Sequence, residues 1–369
     1  MTKLLLKIVL FITGIAVFIM VLSLLPLDTF TFRHWESMTW GLGMNKFTIG
    51  RFYPDKYSVR NEGGDLGHNS KYNQVKKNVV WKTDKYGFRN NNYEIDCDIV
   101  LVGDSNSVGC GTTQKMILSN QISRKTSCSV FNYSPMKIDN KFLNNLAGMG
   151  IHPKLIIYQI IERDIPKLED INLDLNGEHP PKRKMINIIR EHLKISILTD
   201  LQIAIDRAYK KEPINFIQGK IDSAFGDFNM PVIVGAENIL FYDKSFFSKQ
   251  IDSEEVKAIA DKIDKIKTTL RIEGIEFIFV PVPNKESIYY ELLPKERLPL
   301  KGKNFLTELK QQLDARGVKS IDTYSHFRSA FLIGERVYFP DDTHWNTPGI
   351  ELTADLIAKE IRKISPAIQ

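Results

Sequence analysis

Between Ile8 and Leu27 the chain reads IVLFITGIAVFIMVLSLLPL, without one charged residue. At about 1.5 Å of rise per residue, a helix over this run is roughly 30 Å long, the thickness of a bilayer's hydrocarbon core. No other stretch limits the fold as sharply, because such a helix is apolar on every side. A helix buried in a soluble core is the plain alternative. A cleaved signal peptide would have a shorter apolar region and a small-x-small cleavage site, and none is evident from Pro26 to Phe30. A retained signal anchor over residues 1–27 fits best. Lys3 and Lys7 precede the run and Asp28 follows it, so the positive-inside bias keeps the short N-terminus in the cytoplasm. The expected location is the inner (cell) membrane, single-pass, with the rest of the chain in the periplasm or extracellular space.

Export gives the three cysteines a meaning, because the outer compartment is oxidising. Cys97 and Cys128 each stand just before a short apolar run, DIVLVG and VFN. If these runs are neighbouring parallel strands, the two thiols start side by side, and a Cys97–Cys128 disulfide is expected. Two reduced, buried cysteines are the alternative. Cys110 is left over, without a base nearby in sequence, and is assigned to packing.

Residues 28–94 are polar and loop-rich, with Gly63-Gly64 and the stretch TDKYGFRN at 83–90, where Gly87 supplies a turn. They are read as a spacer with small β elements. From Ile95 the pattern alternates. IVLVG (99–103) is a strand buried on both faces, followed by a helix over about 113–125, the strand VFNY, a helix near 138–149 and the strand LIIYQII at 155–161. After an interruption at about 170–250 come a helix capped by Ser253 and ended by Gly274, the strand IEFIFVPVP, the helix FLTELKQQLDARG and the short strand VKSID. A last helix has Thr347 as its cap, Pro348 at its first position, and Ile350, Ala354, Ile357 and Ile361 as its buried stripe. Strand-helix alternation implies an α/β domain over 95–369 with a parallel sheet covered on both faces, and an inserted lobe at 170–250. The net charge of +6 is spread along the chain with no basic run interleaved with aromatics, so nucleic acid is not an expected partner.

Ligands of such sheets bind beyond the carboxyl ends of the strands, which is where GDSNS (103–107) falls. A serine hydroxyl becomes a nucleophile only beside a base. His344 stands in FPDDTHWN (339–346), three residues after Asp341 and two after Asp342, just ahead of the final helix. A carboxylate there folds back onto Nδ1 and leaves Nε2 to work on Ser105. Taken singly, Gly-Asp-Ser is a polar turn and His344 a capping or packing residue beside Trp345. Taken together, they are a candidate Ser-His-Asp triad. Asp104 is assigned to fixing the turn. No His/Cys cluster has ligand spacing, so neither a metal nor a cofactor is expected.

GDSNS and DDTHWN resemble the SGNH/GDSL hydrolase superfamily, an α/β fold of flavodoxin-like, three-layer type. With the N-terminal anchor, the stretches TDKYGFRN, IIERD (160–164), VGAENILFYD (234–243), PVPNKESIYYELL (281–293) and DTHW look like the alginate O-acetyltransferase branch, whose members modify extracytoplasmic polysaccharides. The likeness covers about 83–369. It implies a membrane-anchored O-acyl (acetyl) transferase that carries the acyl group on Ser105 and passes it to a polysaccharide. The acyl donor would come from a multispanning membrane acyltransferase partner. Two other readings keep the motifs: an esterase releasing the acyl group to water, and an inactive envelope scaffold or polysaccharide-binding protein.

The superfamily builds its oxyanion hole from the serine amide, a glycine and an asparagine. In this chain the glycine position falls on Met136 or Lys137, where a backbone amide still serves, and the asparagine position falls on Arg163. Arg163 would donate to an oxyanion, clamp an anionic sugar, or pair with Glu162 or Asp164. Superfamily spacing favours Asp341 as the partner of His344, while the D-x-H spacing of the alginate branch favours Asp342; Asp341 is the residue expected here. Lys285 and Tyr289, after a core strand, are expected either to meet polysaccharide or to form a solvated helix start. Trp345 is expected to stack on a sugar face or to pack.

Overall fold

The computed structural model describes residues 2–41, 48–68, 70, 72, 74–91, 97–171, 196–210, 212–225, 231–243, 251–297 and 304–364. The expected domain boundary at 94/95 and much of the expected 170–250 insertion lie outside them.

The apolar N-terminal run forms one helix, α1 (Thr2–Leu24). Its apolar stretch Lys3–Leu24 is long and apolar enough to cross a membrane and is mostly exposed, with Leu22 near its end buried against protein. A hairpin follows, in which β1 (Tyr57–Glu62) pairs antiparallel with β2 (Lys77–Lys82). Then comes the main sheet: β3 (Ile99–Val102), α2 (Ser105–Val108), α3 (Leu118–Thr126), β4 (Val130–Asn132), α4 (Phe142–Met149) and β5 (Leu155–Ile161). Helices α5 (Ser196–Tyr209) and α6 (Glu212–Phe225) precede a small antiparallel pair, β6 (Val232–Val234) and β7 (Leu240–Tyr242). The chain closes with α7 (Ser253–Ile272), β8 (Glu276–Val282), α8 (Phe305–Ala315), α9 (Thr323–Leu332) and α10 (Thr347–Ile364).

The main sheet is parallel throughout, in the order β4-β3-β5-β8. All four residues of β3 are fully buried, as a central strand covered on both faces requires. Each such aliphatic side chain contributes about 1.5–3 kcal/mol relative to exposure. Val100 and Val102 join the core under α4, α7 and α8, while Ile99 and Leu101 join the opposite core under α3 and α10. The expected strand VKSID is reduced to a single parallel bridge, Phe279 to Ser320. Caps also shift by one residue. Asp252 rather than Ser253 caps α7, its side chain accepting from the Glu255 amide at 2.8 Å. Asn346 rather than Thr347 holds the start of α10, its Oδ1 accepting from the Gly349 amide at 3.1 Å. Both belong to residue types that favour the cap position.

The expected Cys97–Cys128 disulfide is not formed. The register Ile99 to Val130 does set the two cysteines level at the strand starts. Cys97 nevertheless packs into one core and Cys128 into the other, on opposite faces of the sheet. Side chains on opposite faces cannot meet across a strand pair.

Described residues between 33 and 90 are tied to the carboxyl edge of the sheet by buried polar side chains. Arg89 of TDKYGFRN is fully buried and donates to the carbonyls of Val80, Val108, Gly109 and Thr112. It thereby fixes the backbone just after α2. Gly87 makes the expected turn at φ +81°.

Candidate active site

The chain leaves β3 through Gly103 and Asp104 and enters α2 at Ser105. Asp104 is the cap: Oδ1 accepts from the Asn106 amide at 2.8 Å, and Oδ2 accepts from the Ile161 amide at 2.7 Å and from Gln159 Nε2 at 3.1 Å. One carboxylate thus joins the ends of β3 and β5 and sets the direction in which Ser105 leaves the sheet. Ser105 is the first residue of a helical turn, where amides lack intrahelical partners. No acceptor meets its N–H among the described residues.

Across from it, a tight turn joins Tyr338 to Trp345, which form an antiparallel bridge. Within this turn, His344 Nε2 lies 2.8 Å from Ser105 Oγ. His344 Nδ1 lies 2.7 Å from Asp342 Oδ1, and the same oxygen accepts from the His344 amide at 3.1 Å. A carboxylate at Nδ1 places the ring proton there and leaves Nε2 as the acceptor for the serine hydroxyl.

Asp341 is therefore not the residue that orients the histidine. Asp342 reaches forward two residues to the His344 amide, as Asx turns do, and this brings its oxygen onto Nδ1 at the same time. Asp341 points the other way, with Oδ2 accepting from the amides of Gly64 at 2.8 Å and Val75 at 2.7 Å. Gly64 is obligatory at this contact, since a Cβ there would stand 1.9 Å from the Asp341 carbonyl oxygen.

The other oxygen of Asp342 faces two cations from the N-terminal region. Arg33, buried, pairs with Oδ2 and also donates to the Gly63 carbonyl from Nε at 3.2 Å and Nη2 at 3.0 Å. Lys77 Nζ lies 3.4 Å from Oδ2 and 3.3 Å from the centroid of the Phe339 ring. Burial would raise the Asp342 pKa, but Arg33, His344 and Lys77 outweigh it and hold the carboxyl well below its usual range. Asp65 completes the cluster, accepting from the Thr343 amide at 2.8 Å and from its hydroxyl at 2.6 Å. Burial and then the Asp342 charge push its pKa up. Asp65, Asp342 and His344 bring three potential ligand atoms within 4.8 Å of one another. Asp342 Oδ1 is engaged by His344 and Oδ2 by Arg33 and Lys77, so the set reads as an acid–base cluster.

Three expected substrate contacts are structural instead. Lys285 is buried, and its Nζ donates to the carbonyls of Leu240 (2.7 Å), Phe339 (2.7 Å), Pro340 (2.8 Å) and Asp342 (3.2 Å). Burial pulls its pKa down to about 8. Tyr289 is fully buried, and its hydroxyl oxygen accepts from the amides of Val337 at 2.6 Å and Tyr338 at 3.0 Å. Trp345 is fully buried too, with Nε1 donating to the Asn106 carbonyl at 3.3 Å. All three brace the His344 turn or the Ser105 turn from behind. Neither a saccharide nor solvent reaches them.

Arg163 lies two residues beyond Ile161, half-buried at the carboxyl end of β5, and makes no hydrogen bond to Ser105, His344 or Asp342. The Met136 amide is taken by the Tyr133 carbonyl at 3.1 Å. A cavity of about 560 Å³ opens beside the Ser105 turn, lined by Gly103, Asp104, Lys137, Tyr158 and Asp164 among others.

Comparison with known proteins gives this geometry a context. Residues 232–369 match the family model described as an SGNH hydrolase-like domain, acetyltransferase AlgX. By this match the chain resembles the SGNH-like, alginate O-acetyltransferase-like branch. Curated relatives include a probable alginate O-acetylase AlgJ of Pseudomonas fluorescens, 24% identical over 37% of this chain and 34% of that protein. Another, from Azotobacter vinelandii, is 22% identical over 44% of each chain. Among solved structures, the O-acetyltransferase domain of Pseudomonas putida AlgJ is 26% identical over 36% of this chain and 47% of that one, with a TM-score of 0.32. The matches span less than half the length of these curated relatives. The family segment holds Asp342 and His344 but not Ser105, so the serine's place rests on geometry.

Proposed function

We propose that this chain is a membrane-anchored, extracytoplasmic O-acyl (acetyl) transferase that acts on a polysaccharide through an acyl-enzyme on Ser105. In this reading α1 is a retained anchor, and the domain behind it is a flavodoxin-like three-layer frame with an inserted lobe. The observation that carries the proposal is the relay Ser105 Oγ–His344 Nε2 at 2.8 Å and His344 Nδ1–Asp342 at 2.7 Å, which joins residues far apart in the chain. The family context supports acyl transfer as the reaction class.

Ser105 Oγ attacks the donor's acyl carbonyl while His344 Nε2 takes the hydroxyl proton. The unsatisfied Ser105 amide faces the developing oxyanion, and Arg163 stands at the same sheet edge as a second donor. When the tetrahedral species collapses, His344 returns the proton to the leaving group and the acyl ester stays on Ser105. A polysaccharide hydroxyl then attacks the ester and gives its proton to His344, which passes it to Ser105 Oγ as the acyl group departs. The ionised Asp342 stabilises the imidazolium at each step. A multispanning membrane acyltransferase supplies the acyl group outside the cytoplasm.

The test gives the full-length protein an activated acetyl ester with and without an oligosaccharide. Acetylated oligosaccharide that forms with the native chain and not with Ser105→Ala supports transfer. Acetate release that the acceptor leaves unchanged makes the protein an esterase. No turnover, and no covalent labelling of folded protein by a serine-directed phosphonate, removes the enzyme reading.

A further inference from the structure

We propose that helix α6 lies on the surface of the membrane that α1 crosses, with Ile214, Ile217 and Ile221 turned into the lipid. The inference rests on the anchor reading of α1. Arg207, near the end of α5, is buried and donates to the carbonyls of Leu22 at 2.9 Å, Leu25 at 3.0 Å and Pro26 at 2.6 Å. The last carbonyls of a helix lack partners within it, and Arg207 supplies them. It thereby pins the end of α5 at the level where α1 leaves the bilayer. Tyr209, two residues on, is 59% exposed, an aromatic residue of the type enriched at the headgroup level.

Helix α6 starts three residues later. One side of it faces the rest of the protein across a groove of about 640 Å³, which Asn215, Gly219 and Asp222 line together with Phe32 and His68, and the Phe216 ring meets Phe30 edge-on at 6.0 Å. Ile214, Ile217 and Ile221 recur at helical spacing on the other side, with 63%, 58% and 45% of their surface exposed. Such a stripe facing water is unfavourable. The apolar surface at hand to cover it is the lipid around α1, whose Val21 and Leu24 are themselves 48% and 77% exposed. A short helix with one apolar face, anchored beside a spanning helix, has the character of an interfacial helix.

The test uses full-length protein in nanodiscs made with phospholipid that carries a doxyl quencher. A fluorophore is attached in separate samples to Val9→Cys, Ile217→Cys and Asn215→Cys. All three positions are exposed, and the native cysteines are buried. The expected result is that the labels at Val9 and Ile217 lose most of their emission and the label at Asn215 keeps most of its own. Quenching at Val9, with Ile217 quenched no more than Asn215, overturns the inference and leaves the anchor intact. No quenching at Val9 removes the anchor reading, and the inference with it.

Discussion

Asp342 turns one oxygen to His344 and the other to Arg33 and Lys77, whereas Asp341 directs its Oδ2 at the amides of Gly64 and Val75. Substituting each by asparagine separates the two roles. Asp342→Asn loses the charge that holds the imidazolium, and acyl transfer is expected to fall on the order of 10⁴-fold; it also leaves buried Arg33 without its counter-charge, so the melting temperature falls too. Asp341→Asn keeps an acceptor for the two amides, so activity should fall far less and the loss should appear in the melting temperature. Steady-state kinetics beside thermal unfolding of the two variants checks both. Arg33 gives a second prediction. Arg33→Met leaves a buried carboxylate short of its principal counter-charge, a loss of about 3–5 kcal/mol where such pairs are broken. Arg33→Lys is expected to recover part of both activity and stability. The D-x-H spacing was legible in the chain, and the choice between the two aspartates was not, because it depends on amides contributed from Gly64 and Val75. Arg33 left no trace in the sequence. It stands 309 positions from its partner, and an arginine soon after an apolar helix reads as an ordinary flanking charge.

At the scale of elements, the strands of the main sheet could be read directly because each is a short apolar run closed by turn residues. The bridge at Ser320 was over-read as a strand, since VKSID has the composition of one while only Phe279 offers it pairing. Lys285 and Tyr289 take neither of their expected roles, and Trp345 takes the packing one, for a common reason. Polar and amphipathic side chains near a strand end look like a binding surface in sequence, yet here their polar atoms satisfy the backbone of the His344 and Ser105 turns. Glu162, at the end of β5, belongs to the same class. It accepts from the Asn284 amide at 2.7 Å and from Ser287 Oγ at 2.6 Å, and burial raises its pKa to about 7. The native state therefore keeps a proton between about pH 4.5 and 7 that the unfolded chain has released, so stability falls as pH rises through this window and is level above it. Glu162→Gln keeps the acceptor without the charge. Between pH 4.5 and 7.5 the variant should lose on the order of 2 kcal/mol less than the native protein, as measured by denaturation at the two values.

At the scale of the whole molecule, the N-terminal region and the main sheet share one cluster of buried charges. The segment before the main sheet closes the candidate site, through Arg33, Asp65, Lys77 and the Gly64 amide. A fragment beginning at Cys97 retains Ser105, Asp342 and His344 but has lost every one of these contacts. It is expected to show no labelling of Ser105 by a serine-directed phosphonate under conditions where the full chain is labelled. The α/β class and the two motif ends were legible because local patterning encodes them; the closure was not, because nothing local marks a loop that will be held from across the molecule.

The residues between Leu24 and Arg33, even if fully stretched, reach roughly 30 Å. With α1 in a bilayer, the Asp342 that Arg33 grips can stand no farther than that from the helix end, and Arg207 clamps the intervening chain at its root. Such a tool works on a short leash. On the proposed function, it would reach only those acceptors that come close to the membrane surface.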